Sequence, residues 1–434
     1  MSPSKTGGTS CHVLSHSLVE ERLFLIAFSC YVFAAWFTAT GYQTFFGLDY
    51  NWFKRLIYGV SLVCLAGKYL LQGNTINEHL IVASIGIIFL ISAITSSNHL
   101  LIWCFIFVVS SRHISIKSLS FCFFMILILI GLITFSGYFL GAVPSHDLPS
   151  TMTRDVRYSL GFSHPNTLGF FLLSIQLAWI SMRGISVDTK DLVFATIFAV
   201  FSHCLTDSRT VDGAFMLLII TIIVLLIKQN RSSSRGQSTG SVASPLIIAL
   251  YTIIAASVVF SIFSMVFYDG ANSVWTKLDT LFSGRLHLAN QYYYETGISA
   301  FGHSFKDSAV QAFDIHGVGV TFLVDNLYCN ILLYYGWIPW LVSFGGIAVS
   351  LRRLRKRQQY TCYLGIILFL LIGLFEAMLF NLRVDFFILG LRAALYRTDF
   401  CDQNPTDSVL SSLPLYLRLC GLTAQKESPH WNRK

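Results

Sequence analysis

The stretch Arg154–Gly169 reads RDVRYSLGFSHPNTLG: two arginines, a short Gly/Ser turn, then His164-Pro165-Asn166 opening a long apolar run. Proline suits the first helical position, because its missing N–H would have no intrahelical partner there. A helix start presents unpaired N–H groups and a partial positive charge. With Arg154 and Arg157 just before it, the segment has the makings of an anion trap. Three further stretches repeat the pattern. Arg209 lies in LTDSRT, Arg285 in LFSGRLHLANQYYYETG, and Asp325-Asn326 opens VDNLYCNILLYYG. Guanidinium groups bind phosphate through paired, charge-assisted hydrogen bonds, among the stronger polar contacts a protein can make. Glu376, inside LIGLFEAMLFNLRVDFF, adds an ionisable group within an apolar run, a functional candidate by default.

The elements that must position these residues are helices in a membrane. Of the 434 residues 54% are hydrophobic and 12% charged, against ~25% charged in soluble domains, and the mean hydropathy is +0.63. The formal net charge of +8 comes without a basic stripe interleaved with aromatics, which argues against nucleic acid as a partner. The ten cysteines are scattered and read as small hydrophobes, neither a zinc site nor a disulfide framework. The polar N-terminal residues lack a cleavage pattern, so the first apolar segment reads as an uncleaved anchor.

Apolar runs of spanning length predict an all-α integral membrane protein with about twelve transmembrane helices. They fall at about 23–41, 55–72, 79–96, 99–111, 118–142, 164–182, 191–206, 209–228, 245–268, 326–350, 360–380 and 383–397. Residues 1–22 and 398–434 read as cytoplasmic tails around a 23–397 transmembrane domain. Basic residues concentrate in alternate loops, notably 229–244 and 351–359, which puts those loops and both termini in the cytoplasm. Residues 229–244 read as a flexible connection. The opposite, extracytoplasmic side then holds the long segments 143–163 and 269–325, and long loops of this composition are usually functional.

Arg154, Arg157, Arg209, Arg285 and Arg383 fall on the side where arginine is under-represented. This favours a shared anion site. Each has a plainer reading. Arg209 and Asp212 are three apart on a helix and can pair. Arg154 and Arg157 can reach lipid headgroups, and Lys68 and Arg392 read as snorkelling from the cytoplasmic ends of their spans. His164 serves equally as a helix cap. His303 and His316 read as solvated, and Tyr292, Tyr293 and Tyr294 as an interfacial belt or sugar-stacking rings.

At these residues the chain resembles the Wzy-type oligosaccharide repeat-unit polymerases of O-antigen, capsule and exopolysaccharide synthesis, a family related to the O-antigen ligases. RYSLGFSHPNTLG is similar to the family's Arg…Gly-Phe-x-His-Pro-Asn segment. DSRT and SGRLHLA resemble its Ser-Arg and Ser-Gly-Arg signatures, VDNLYCNILLYYG its Asp-Asn-x-Tyr…Tyr-Gly segment, and FEAMLFN a Phe-Glu…Asn element. The pieces run in consistent order from Arg154 to Asn381. His303 departs from the pattern, and the tail beyond Tyr396 matches no part of it.

The resemblance implies a GT-C-like membrane glycosyltransferase in a bacterial cytoplasmic membrane. Such an enzyme moves a glycan from undecaprenyl pyrophosphate to the non-reducing end of another lipid-linked repeat. Arg157, Arg209 and Arg285 would hold the pyrophosphate, Arg154, Asn166, Asn326 and Tyr328 would bind and position substrate, and the base would be Asp325, Glu376 or His164. No Asp-x-Asp motif is present, so the expected reaction uses neither metal nor cofactor. A flippase and a chain-length regulator are the implied partners. The rival readings are an O-antigen ligase-type transferase, a transporter or flippase of lipid-linked glycan, and a non-catalytic scaffold. Charge gathered at one face counts against the transporter.

Overall fold

The computed structural model describes residues 8–42, 44–45, 47–149, 156–184, 187–235, 244–304, 311–313, 319–321 and 324–396. Expected features at Arg154, His316, much of the 229–244 connection and the 398–434 tail lie outside the described residues. Among the described residues the regular elements are helices, apart from two short antiparallel ribbons, Thr44–Phe45 with Leu48–Asp49 and Gln311–Phe313 with Gly319–Thr321.

The helices follow in order as α1 (Gly8–Phe37), α2 (Tyr50–Leu71), α3 (Ile76–Ser96), α4 (Leu100–Ser110), α5 (Ile116–Phe139), α6 (Pro165–Arg183), α7 (Thr189–Thr206), α8 (Arg209–Arg235) and α9 (Ser244–Phe267). Then come α10 (Ser273–Leu281), α11 (Arg285–Thr296), α12 (Leu327–Asn330), α13 (Trp337–Lys356), α14 (Tyr360–Ile372) and α15 (Arg392–Leu395). Among the described residues four stretches are long and apolar enough to cross a membrane: Ile76–Ser96, Ile116–Phe139, Arg209–Gln229 and Leu246–Phe267.

Several boundaries differ from the hydropathy reading. α1 begins at Gly8, inside the expected tail, and its Glu20 pairs with Lys68 of α2 at 2.7 Å. α4 has 11 residues, ~16 Å of helix, about half of a ~30 Å hydrocarbon core. α8 runs on to Arg235 and α13 to Lys356, and in α13 the basic residues expected in a loop occupy the last helical turn, where cations meet the negative end of the helix dipole. The long 269–325 segment contains α10 and α11.

The run expected at about 326–350 is broken. α12 passes into a π-helical turn, Ile331–Tyr335, and stops at Gly336, whose φ of +93° glycine adopts without penalty. The backbone of Ser299–Gly302 fills the break. Trp337 and Ile338 donate their N–H groups to the carbonyls of Ser299 and Ala300, satisfying donors that a helix start leaves orphaned. A Cβ on Gly302 would run into the Tyr334 carbonyl, so the approach depends on glycine.

Alternating helices leave two chemically distinct ends. At the basic end Lys68 and Arg392 are buried, where snorkelling was expected. Lys68 has its Glu20 partner, and Arg392 donates to the carbonyls of Ser111 and, at 2.7 Å, Ile114. Arg112 pairs with Glu78 at 3.2 Å and lies over the Tyr396 ring. The other end gathers the irregular segments, and there the candidate residues meet.

Candidate functional site

Arg285 is aimed by a small helical corner. Ser283 and Gly284 both take left-handed φ, 57° and 81°, turning α10 into α11. Asp279 supplies the missing cap from the helix before: its Oδ1 accepts from the Leu286 and His287 N–H groups, and Oδ2 meets His287 Nδ1 at 2.8 Å. Phe282 stacks on Phe375 at 5.2 Å between ring centres, clamping the corner beside Glu376.

The guanidinium therefore reaches two carboxylates at once. Nε donates to Asp325 Oδ2 at 3.1 Å, and Nη2 donates to Glu376 Oε1 at 2.7 Å. Glu376 is buried, 6% exposed, while the Asp325 side chain is 40% exposed. Glu376 does not ride on a helix, as its position in a long apolar run suggested. α14 ends at Ile372, and Glu376 sits in the following turn, tied to Ile372 O by its own N–H. Thr210, at the start of α8, lies beside the Glu376 carboxyl. Although part of the Asp325 side chain reaches solvent, the dense packing around its carboxyl strips away enough water to push it above its ordinary carboxylate range, against the pull of Arg285.

Arg157 forms a second cluster. It is buried, its Nε donates to Thr206 O at 2.6 Å, and Nη2 donates to Asn166 Oδ1. The backbone supports it through the Leu148–Arg157 bridge and through Tyr158 N–H to Leu205 O. His164 is the N-cap of α6: Nδ1 accepts the Asn166 N–H at 3.0 Å, with Pro165 following. A neutral ring that accepts at Nδ1 carries its proton on Nε2, so in this state it is a donor and not a base. Burial, with the neighbouring Arg157 charge, lowers the His164 pKa and keeps the ring neutral.

The two clusters share the α7–α8 turn. Arg157 holds Thr206 at its start and Glu376 adjoins Thr210 at its end; four residues bridge at most ~14 Å. Arg209 lies between them, exposed at the head of α8. Asp212, its expected partner, instead meets His203 Nδ1 at 2.9 Å.

Other expected site residues are held by the fold. Asn326 caps α12, accepting from Tyr328 and Cys329 N–H and donating to Ser261 and Leu374. Tyr328 is fully buried and donates to Leu370 O at 2.6 Å. Arg383 lies over the Trp36 ring at 5.1 Å. Of the three tyrosines Tyr292 is buried and Tyr294 is 72% exposed. Sequence reasoning missed Asp279, Thr206 and Thr210. Asp279 alone had a signal, an acid shortly before a Ser-Gly turn. No family model, curated protein or solved structure matches this chain.

Proposed function

We propose that this chain is a membrane polysaccharide polymerase. It transfers undecaprenyl-pyrophosphate-linked glycan onto the non-reducing end of a second lipid-linked repeat, at the extracytoplasmic face. The observation that supports this reading is the convergence of Arg285, Asp325 and Glu376 beside the α7–α8 turn that bears Arg209. In this reading the membrane domain holds about twelve crossings in a GT-C-like arrangement, some made by short or irregular segments, with the loop-rich end outward.

In this reading the arginines divide the labour unequally. Arg157 is occupied by Thr206 O and Asn166, so its work is to hold the α7–α8 turn. Arg209 is exposed at a helix N-terminus and is the arginine open to the leaving pyrophosphate. Arg285 fixes Asp325 and Glu376. Buried Glu376 orients Arg285, and the accessible, raised Asp325 is the better base for an incoming hydroxyl.

In the reaction the bond from the donor's anomeric carbon to pyrophosphate breaks, and a bond from that carbon to the acceptor oxygen forms. The acceptor proton passes to Asp325, and undecaprenyl pyrophosphate leaves with the bonding pair. Negative charge grows on the leaving oxygen as the bond breaks, so a cation at Arg209 lowers the barrier more than it tightens substrate. Reconstitution with one purified lipid-linked repeat tests the reading. A ladder of products supports polymerisation. A single block added to a different acceptor identifies a ligase, and no covalent product overturns both.

A further inference from the structure

The basic end contains a feature that the transfer reaction does not use. Among α9, α13 and α14 lies a cavity of about 780 Å³ with apolar walls that include Tyr251, Phe344 and Leu370. Its volume falls within the ~300–1,000 Å³ of ordinary ligand sites. Arg352, Arg355 and Lys356 line its rim, all three exposed. At spacings of three and four they share one face of α13.

This face is distinct from the structural one. Arg353, one residue along, turns away and donates to the carbonyls of Ala393 and Ala394 at 2.7 and 3.0 Å. Arg352, Arg355 and Lys356 form no ion pair among the described residues. An apolar trough capped by three cations at a membrane boundary has the complementarity of one kind of molecule, a lipid with acyl chains and an anionic headgroup. We propose that this cavity binds an anionic phospholipid of the surrounding leaflet, its phosphate held by Arg352, Arg355 and Lys356 and a chain lying against Tyr251 and Phe344. Charge that only orients the protein in the bilayer needs neither a shared face nor a cavity, which separates the two explanations.

The test uses full-length protein in nanodiscs of phosphatidylcholine with a minor fraction of phosphatidylglycerol, with retained lipid read by native mass spectrometry. Wild type is expected to retain phosphatidylglycerol selectively. Single Arg→Gln changes at Arg352 or Arg355 should weaken retention roughly fivefold each. Ala348→Trp, which keeps every charge and fills the trough, should also abolish selective retention. Lys190→Gln, an exposed basic-end change outside the cavity, should leave it intact. Equal retention in Arg352→Gln or Ala348→Trp, or equal loss in Lys190→Gln, overturns the proposal. So does retention of a polyprenyl phosphate from a mixed membrane in place of phosphatidylglycerol.

Discussion

The two ends of the bundle bury cations by opposite means. At the basic end Arg392, 2% exposed, is surrounded by backbone carbonyls, and Lys68, fully buried, has one carboxylate. These groups brace helices. At the loop end Arg285 holds two carboxylates, one of them 40% exposed, next to an arginine left open. Two acids share one guanidinium, and the partly exposed one leaves a place for a substrate. A saturated buried charge stabilises or organises a fold, whereas an unevenly matched and accessible one is set up for chemistry.

The largest effect should come from the basic end. Glu20→Gln leaves Lys68 buried without a counter-charge and should destabilise by about 3–5 kcal/mol, read as a drop in thermal midpoint in detergent. Product made per folded molecule should not change, and a selective loss of activity would erase the contrast between the ends. Next, Arg285→Ala should cut polymer formation by roughly 10²–10³-fold while the protein remains in the membrane, with single lipid-linked repeats accumulating on a gel.

Asp325→Asn should lower the rate by about 10²-fold. It should also remove the acidic limb of the pH–rate profile. That limb should lie above the ~3.9 of an ordinary aspartate, because the base form appears only as pH rises through the raised folded pKa. The sign for stability is opposite. The folded state holds this proton longer than the unfolded state, so stability contributed here falls as pH rises from the ordinary to the raised value. Asn166→Ala, removing the acceptor of a charged donor, should cost about 1.5–3 kcal/mol at the α7–α8 turn and reduce turnover through Arg209.

The smallest effect concerns His164. His164→Ala should cost about 1 kcal/mol and His164→Asn much less, since asparagine caps well. Because the folded pKa is lowered, the unfolded ring takes up a proton first. The cap's stabilisation should therefore weaken as pH falls from ~6.5 toward the folded value, measurable by denaturation at a series of pH values. Loss of all catalysis in His164→Asn would make the ring a participant in place of a cap.

What was legible in the sequence was local. His164-Pro165 and Asn326 announce helix starts because a cap acts on N–H groups two or three residues away. The partners of Arg285 lie 40 and 91 positions off, and that of Lys68 lies 48 off, so spacing carried no trace of them. Hydropathy read Glu376 as part of a span. The helix ends earlier because Gly373 packs against Leu327 and gives its carbonyl to the Leu327 N–H, a tertiary contact.

By itself, then, the sequence determined that this chain is helical and apolar, where many of its helices begin, and which few residues are too polar for their surroundings. Those properties depend on side-chain transfer from water and on hydrogen bonds within one turn. Only the tertiary structure decided which arginine is occupied and which is open. It placed Arg157 on Thr206, Arg285 between Asp325 and Glu376, and Arg209 in solvent. A guanidinium's role depends on what lies within about 3 Å of it, and that is set by packing between helices far apart in the chain.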